Sequence, residues 1–221
     1  MFSPNMLKTF QTCPYKYWFK YTEQIPVPQK TSFFEKGKRI HALANYYLRG
    51  DDISKLEKAL NSEERTIWEQ LKNNEYFKMS YVNSEYNLSC KVGEYWIGGR
   101  LDAVVKNFTK DLPPHPQGEG VEYFILDYKT GSIPKEPEYD FQTMVYLLAL
   151  RKSLKISAEI SFVYIDLKKK QNHLIKLTTP KKEEYEQAII KICDEITNFT
   201  LKENTEHSKK CEFCEYKKIC I

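Results

Sequence analysis

Two short stretches carry the residues best suited to chemistry. Gly98-Gly99-Arg100-Leu101-Asp102 ends on a carboxylate, and Asp127-Tyr128-Lys129 closes an apolar run, Tyr123-Phe124-Ile125-Leu126. Side chains alternate along a strand, so Asp127 and Lys129 project from one face. A plain ion pair would account for them. Two carboxylates on neighbouring strands would also hold a hard divalent cation, which prefers oxygen ligands. Such a cation polarises a phosphoryl oxygen and lowers the pKa of a bound water. A lysine beside it orients that water and offsets developing negative charge. The chemistry so indicated is metal-assisted phosphodiester hydrolysis.

Three further residues join this set. His41 follows Gly37 by one helical turn, and Gln142-x-x-x-Tyr146 sits on a later helix. Spacing i,i+4 puts Gln142 and Tyr146 on one face. The core face of that helix, Phe141, Val145 and Leu148, reads as separate, so the two polar groups can point at the site. A satisfied core histidine and an ordinary half-exposed helix face are the plain alternatives.

The cysteines form a second group. Cys211-x2-Cys214-x5-Cys220 lies in a polar tail too small to bury a core of its own, which suggests a metal staple. Cys13, in Cys13-Pro14-Tyr15, is the best candidate for a fourth ligand. Four thiolates suit either zinc or an iron–sulfur cluster. Cys90 on a strand and Cys193 in a helix read as small buried hydrophobes.

The elements that must position these residues follow from periodicity. Ser3-Pro4 reads as a helix start, with Met6, Phe10, Cys13 and Tyr17 on one face. Helices are expected from Ser32 to Leu48 and from Ile53 to Lys72. Alternation over Tyr86, Leu88 and Cys90, a turn at Val92-Gly93-Glu94, and Tyr95 to Lys106 read as a hairpin. Residues 107–120 hold three prolines and two glycines and read as a loop. Val121–Lys129 is an apolar, central strand. A helix over Glu136–Ser153, strands over Ile160–Leu167 and His173–Leu177, and a helix over Lys181–Leu201 complete the chain. The fold class is α/β, a mixed central β-sheet flanked by helices. One domain over residues 1–221 is expected, with residues 1–30 and 206–221 folded against each other.

Charge bounds the partners. The net charge is +4, but residues 1–50 carry +6, residues 51–150 carry −6 and residues 151–221 carry +4. Basic ends around an acidic middle suit a nucleic-acid groove beside a cation centre. Tyr15, Tyr17, Trp18, Phe19 and Tyr21 alternate with Lys16 and Lys20, a pattern able to stack bases and attract phosphates. At least half of those rings should pack inside instead. Lys168, Lys169 and Lys170 mark a turn that is an exposed tip or a phosphate contact. No apolar run approaches the roughly 20 residues of a membrane span. No secretion signal is visible, so a cytoplasmic location is expected.

The order His41, Asp102, Asp127-x-Lys129, Gln142-x-x-x-Tyr146 resembles the PD-(D/E)XK nucleases, in particular their RecB-like branch. One early cysteine before Pro-aromatic residues and a terminal C-x2-C-x5-C resemble the iron–sulfur members of that branch, among them the CRISPR-associated exonucleases. The likeness spans Ser3 to Cys220. It implies a restriction-endonuclease-like core, with the N-terminal helix and the tail joined by a metal cluster. It implies Mg²⁺ or Mn²⁺ held by His41, Asp102, Asp127 and the carbonyl of Tyr128, with Lys129 positioning water. Gln142 and Tyr146 would contact DNA or support the site, and Glu85 matches an acidic position on the preceding strand. It implies a [4Fe–4S] cluster on Cys13, Cys211, Cys214 and Cys220, with zinc the alternative. The activity implied is a single-stranded DNA exonuclease of repair, recombination or CRISPR spacer processing, served by a helicase or by integration proteins. No phosphate-binding loop of an ATP motor is present. A non-catalytic or partner-activated DNA-binding subunit, or a zinc-stapled nucleic-acid-binding module, is the competing reading.

Overall fold

The computed structural model describes residues 1–27, 32–108, 120–154, 158–201 and 209–220, with side chains from 37 and 211 in the second and last segments. Most of the expected 107–120 loop and the start of the tail lie outside the described residues.

Among the described residues, five strands form one sheet in the order β1-β2-β3-β4-β5: Ser80–Val92, Tyr95–Phe108, Val121–Lys129, Glu159–Asp166 and Gln171–Lys176. All neighbours are antiparallel except β3 and β4, which run parallel. A parallel pair needs a crossover, and helix α6 (Phe141–Ser153) supplies it. The expected α/β class with a mixed, helix-flanked sheet is the one observed.

The sheet is covered on both faces. One face packs α6, α1 (Pro4–Thr12) and α7 (Thr179–Thr197), through Leu7, Phe10, Val145, Leu148, Tyr185 and Ile189. The other packs α3 (Ser32–Leu48) and α5 (Ser62–Lys72), through Ile40, Leu43, Trp68 and Leu71. β3 lies between the layers. Its Ile125 belongs to the first core, and Phe124, Leu126 and Tyr128 belong to the second. That double burial explains its unbroken apolar run.

Several expected boundaries are corrected. The N-terminal helix does not run through to Tyr17. It stops at Thr12, Cys13 takes an extended backbone, and Pro14 opens α2 (Pro14–Tyr17), followed by a π-helical turn over Trp18–Thr22. A residue before proline is biased away from helix, which places the break. The expected helix Ile53–Lys72 is two, α4 (Ser54–Lys58) and α5. Asn61 divides them by accepting from the Glu64 N–H while the Glu64 carboxylate accepts from the Asn61 N–H, a capping box. α6 begins at Phe141 rather than Glu136, because Asp140 caps it by accepting from the Gln142 N–H.

The largest correction concerns the faces of α6. Phe141 and every residue from Thr143 to Leu150 are buried. No polar face separate from a core face exists, because the sheet lies on one side and α1 and α7 on the other. Tyr146 is therefore a core residue.

Both chain ends meet. Lys16 Nζ lies 2.9 Å from Glu215 Oε2, the Tyr216 hydroxyl donates to the Ile25 carbonyl at 3.1 Å, and the Phe19 and Tyr216 rings pack at 5.7 Å. The other rings of the aromatic run also find internal partners: Tyr15 and Trp18 meet Phe199, and Tyr17 meets Phe10 and Tyr21. No described helix is long and apolar enough to cross a membrane.

Candidate active site

The acidic residues form a row across three strands. The β1–β2 register pairs Ser84 with Ala103 and Tyr86 with Leu101, which sets Glu85 opposite Asp102. The β2–β3 register pairs Ala103 with Leu126, and one residue further it sets Asp102 opposite Asp127. The Gly93-Glu94 turn, with Val92 paired to Tyr95, sets the Glu85–Asp102 half of this row, and the β2–β3 register sets the rest. Glu85 has φ +49°, a left-handed conformation uncommon outside glycine.

His41 descends on this row from α3. Its Nδ1 lies 3.1 Å from Asp102 Oδ1, its Nε2 lies 3.0 Å from the Tyr128 carbonyl oxygen, and its ring packs 4.8 Å from that of Tyr128. Burial by itself would lower the His41 pKa, but the hydrogen bond and charge of Asp102, with the charge of Asp127, raise it overall. Gly37, one turn earlier, lines the same cleft, of about 680 Å³, with Lys38, Asn45, Glu85, Arg100, Asp102 and Thr130.

Asp127 and Lys129 do share a face of β3, and Gln142 joins them from the first turn of α6. Lys129 Nζ donates to Asp127 Oδ1 at 3.1 Å and to Gln142 Oε1 at 3.2 Å, while Gln142 Nε2 donates to Asp127 Oδ1. Burial, then the charge of Asp102, pushes the Asp127 carboxyl up to about 6, against the pull of Lys129 and His41. Asp127 Oδ2 lies 2.9 Å from Lys129 Nζ, within ion-pair reach, yet accepts no hydrogen bond of good geometry. Asp102 Oδ2 is buried and accepts none either. Buried oxygens without donors are costly, and a cation is the partner that would satisfy two facing carboxylates.

Tyr146 works from inside the core. Its hydroxyl donates to the Arg100 carbonyl at 2.9 Å, and its ring stacks on Phe162. A Cβ on Gly99 would stand 3.0 Å from that hydroxyl, so a bare backbone is what admits Tyr146 here. Tyr146 thus fixes the strand just before Asp102.

Among the described residues, His41, Glu85 and Asp102 are the one trio of His, Cys, Asp or Glu side chains whose ligand atoms lie within 4.8 Å of one another. Glu85, on the strand before Asp102, therefore stands beside the His41–Asp102 pair. Asp127 sits deeper, on its own links to Lys129 and Gln142.

A profile of the PD-(D/E)XK nuclease superfamily matches residues 1–112 and 71–221, which together span the chain. The chain belongs to that superfamily. Among solved structures, this PD-(D/E)XK protein is similar to a "Putative exonuclease" from Eubacterium rectale, with TM-score 0.57 and 12% identity over 95% of this chain and 86% of that one. At that identity the likeness concerns the fold. The crystal structure of SSO0001 aligns with TM-score 0.37 and 18% identity over 96% of this chain and 97% of that one, too loosely to carry an argument. A search of curated proteins finds no match.

The cysteine set belongs to the segments where the tail meets the residues after α1. Cys13 caps α2, its sulfur accepting from the Lys16 N–H at 3.4 Å, and Cys13, Cys211, Cys214 and Cys220 are all partly buried. No disulfide occurs among the described residues. A tetrahedral zinc site with Zn–S near 2.3 Å requires its thiolates within about 4 Å of each other. Among the described residues, no three of these thiols are gathered to within 4.8 Å. Cys90 and Cys193 are buried in the first core, apart from any such role.

Proposed function

We propose that this nuclease hydrolyses phosphodiester bonds of DNA with a divalent cation, as an exonuclease on single-stranded DNA in repair, recombination or CRISPR spacer processing. The observation that carries the reading is the pairing of two carboxylates beside Lys129: Asp102, whose buried Oδ2 accepts no hydrogen bond, and Asp127, whose buried Oδ2 has only the ion pair with Lys129 at 2.9 Å. His41, Asp102, Asp127 and the Tyr128 carbonyl are the residues that would hold Mg²⁺ or Mn²⁺, with Glu85 at the rim. When bound, the cation polarises the phosphoryl oxygen and lowers the pKa of a coordinated water. Lys129 orients the attacking water and offsets the negative charge that builds on the phosphoryl oxygens. Gln142 holds Lys129 and Asp127 in register, and Tyr146 holds the strand that presents Asp102.

Cys13, Cys211, Cys214 and Cys220 are assigned to a [4Fe–4S] cluster with a structural role. Support comes from the docking of the tail on the Cys13 segment through Lys16–Glu215 and Phe19–Tyr216, and from an all-thiolate donor set of the kind such clusters use. The partners in the reading are single-stranded DNA and a helicase or CRISPR integration protein, in the cytoplasm.

The test is cleavage of end-labelled single-stranded DNA by anaerobically purified protein in Mg²⁺ or Mn²⁺. Lys129→Ala should lower the rate about 10²–10⁴-fold with the far-UV spectrum unchanged. Iron and acid-labile sulfide should fall together in Cys214→Ser. A wild type that carries the cluster, binds DNA and leaves it uncut in both cations would overturn the enzymatic reading in favour of a DNA-binding subunit.

A further inference from the structure

Arg100 stands at the mouth of the cleft with its backbone fixed and its side chain exposed. Tyr146 holds its carbonyl, and the Gly98–Gly99 backbone before it packs against Leu88, Ser89 and Tyr146. The side chain is 66% exposed, and its Nε lies 2.8 Å from Glu85 Oε2. Glu85 in turn belongs to the trio with His41 and Asp102. One carboxylate is thus shared between an arginine and the site a cation would take.

We propose that Arg100 is a cation-gated phosphate clamp: Glu85 holds it when no cation is bound, and a cation that draws on Glu85 frees its guanidinium to grip a phosphate of the substrate strand. The inference rests on the nuclease reading above. Three physical points support it. An exposed pair such as Arg100–Glu85 is weak, so exchanging it costs little. A cation on Glu85 cancels the charge that held the arginine. The planar guanidinium fork matches phosphate oxygens two at a time, which a lysine cannot do. Arg100 is here a substrate-positioning residue, two positions before Asp102 on the same strand.

The experiment uses the full-length protein carrying Lys129→Ala, so that DNA stays uncut, with and without Arg100→Ala. Single-stranded DNA affinity is measured across a salt series in Mn²⁺ and in EDTA. Mn²⁺ affinity is measured on DNA-free protein by calorimetry. Removing Arg100 should weaken DNA binding about 10–100-fold in Mn²⁺. In EDTA the loss should stay below about 3-fold, since the arginine is then engaged by Glu85. The salt slope in Mn²⁺ should shrink by about 0.7 for each phosphate that Arg100 neutralises. Mn²⁺ should bind the DNA-free Arg100→Ala protein about 2–5-fold more tightly, because its competitor for Glu85 is gone. Arg100→Lys should recover the salt slope and only part of the affinity.

Equal losses of DNA affinity in Mn²⁺ and EDTA would overturn the gating, as would Mn²⁺ affinity that is unchanged or weaker. Failure of the nuclease reading looks different. Protein with Lys129 intact would then leave DNA uncut, whatever Arg100 does to binding.

Discussion

Replacing Gly98 with alanine tests whether the β1–β2 hairpin fixes the strand that carries Arg100 and Asp102. A Cβ at this position would stand 2.3 Å from the Leu88 carbonyl oxygen and 2.8 Å from Ser89 Cα. Ordinary contact begins near 3.4 Å, so the carbonyl would have to retreat by about 1.1 Å. Both obstacles are backbone atoms of the paired strand, at the Ser89↔Gly98 and Leu88↔Gly99 positions of the ladder. No side-chain rotation relieves them, and the hairpin must splay. Overpacking that forces backbone shifts costs about 1–3 kcal/mol and occasionally more. At roughly 2–4 °C per kcal/mol for a chain of this size, the melting temperature should fall by about 2–12 °C. The opposing effect is the lower unfolded-state entropy of alanine, worth about 0.4–1 kcal/mol of stabilisation where a site tolerates it. The sign of the change therefore decides the matter. Calorimetry or thermal circular dichroism on Gly98→Ala reads it, and a melting temperature equal to or above that of the wild type would refute the close approach.

Other consequences can be checked with simpler measurements. Tyr146→Phe should destabilise the protein by about 1–3 kcal/mol, since it leaves the Arg100 carbonyl without its donor; denaturant titration measures it, and an unchanged midpoint would show that the hydrogen bond is dispensable. Burial pushes the Cys193 thiol up to about 12 and raises that of Cys90. Both should thus stay unlabelled by a thiol reagent at pH 8 in native protein and react on unfolding, as peptide mass mapping would show. Asn61→Ala should cost about 1 kcal/mol through loss of the α5 cap, and Asn61→Ser should recover most of it in the same melt.

The legibility of the sequence differs by element for physical reasons. β1, β2 and β3 are readable because alternation and a long apolar run are local signals, and the Gly93 turn sits between the first two. The break at Cys13 is hidden by helical spacing that continues through Tyr17, although Pro14 announces it. The division of the 53–72 helix is equally visible in Asn61-Ser62-Glu63-Glu64, a capping pattern outweighed by the polar periodicity around it. The two-faced picture of α6 fails because burial on all sides leaves no amphipathic contrast, and a tyrosine with one internal acceptor reads like a half-exposed one. Asp127-x-Lys129 and Gln142 can be found as types at set spacings. Glu85 opposite Asp102 follows from counting back along the hairpin from its Gly93 turn, whereas the approach of His41 to both does not, because it comes from the packing of α3 on the sheet.

The placement of α6 has a consequence for how this protein can change. Its first turn holds Asp127 and Lys129 through Gln142, its second holds the Arg100 strand through Tyr146, and its body is the middle of the core. The same helix therefore serves as spindle and as jig. A substitution at Val145, Leu147 or Leu148 that merely loosens packing would tilt both grips at once, with no residue of the site altered. Activity should thus erode ahead of the fold along α6. Variation in substrate preference should accumulate elsewhere, on the exposed mouth around Lys38 and Tyr46, where side chains can turn over without disturbing the spindle.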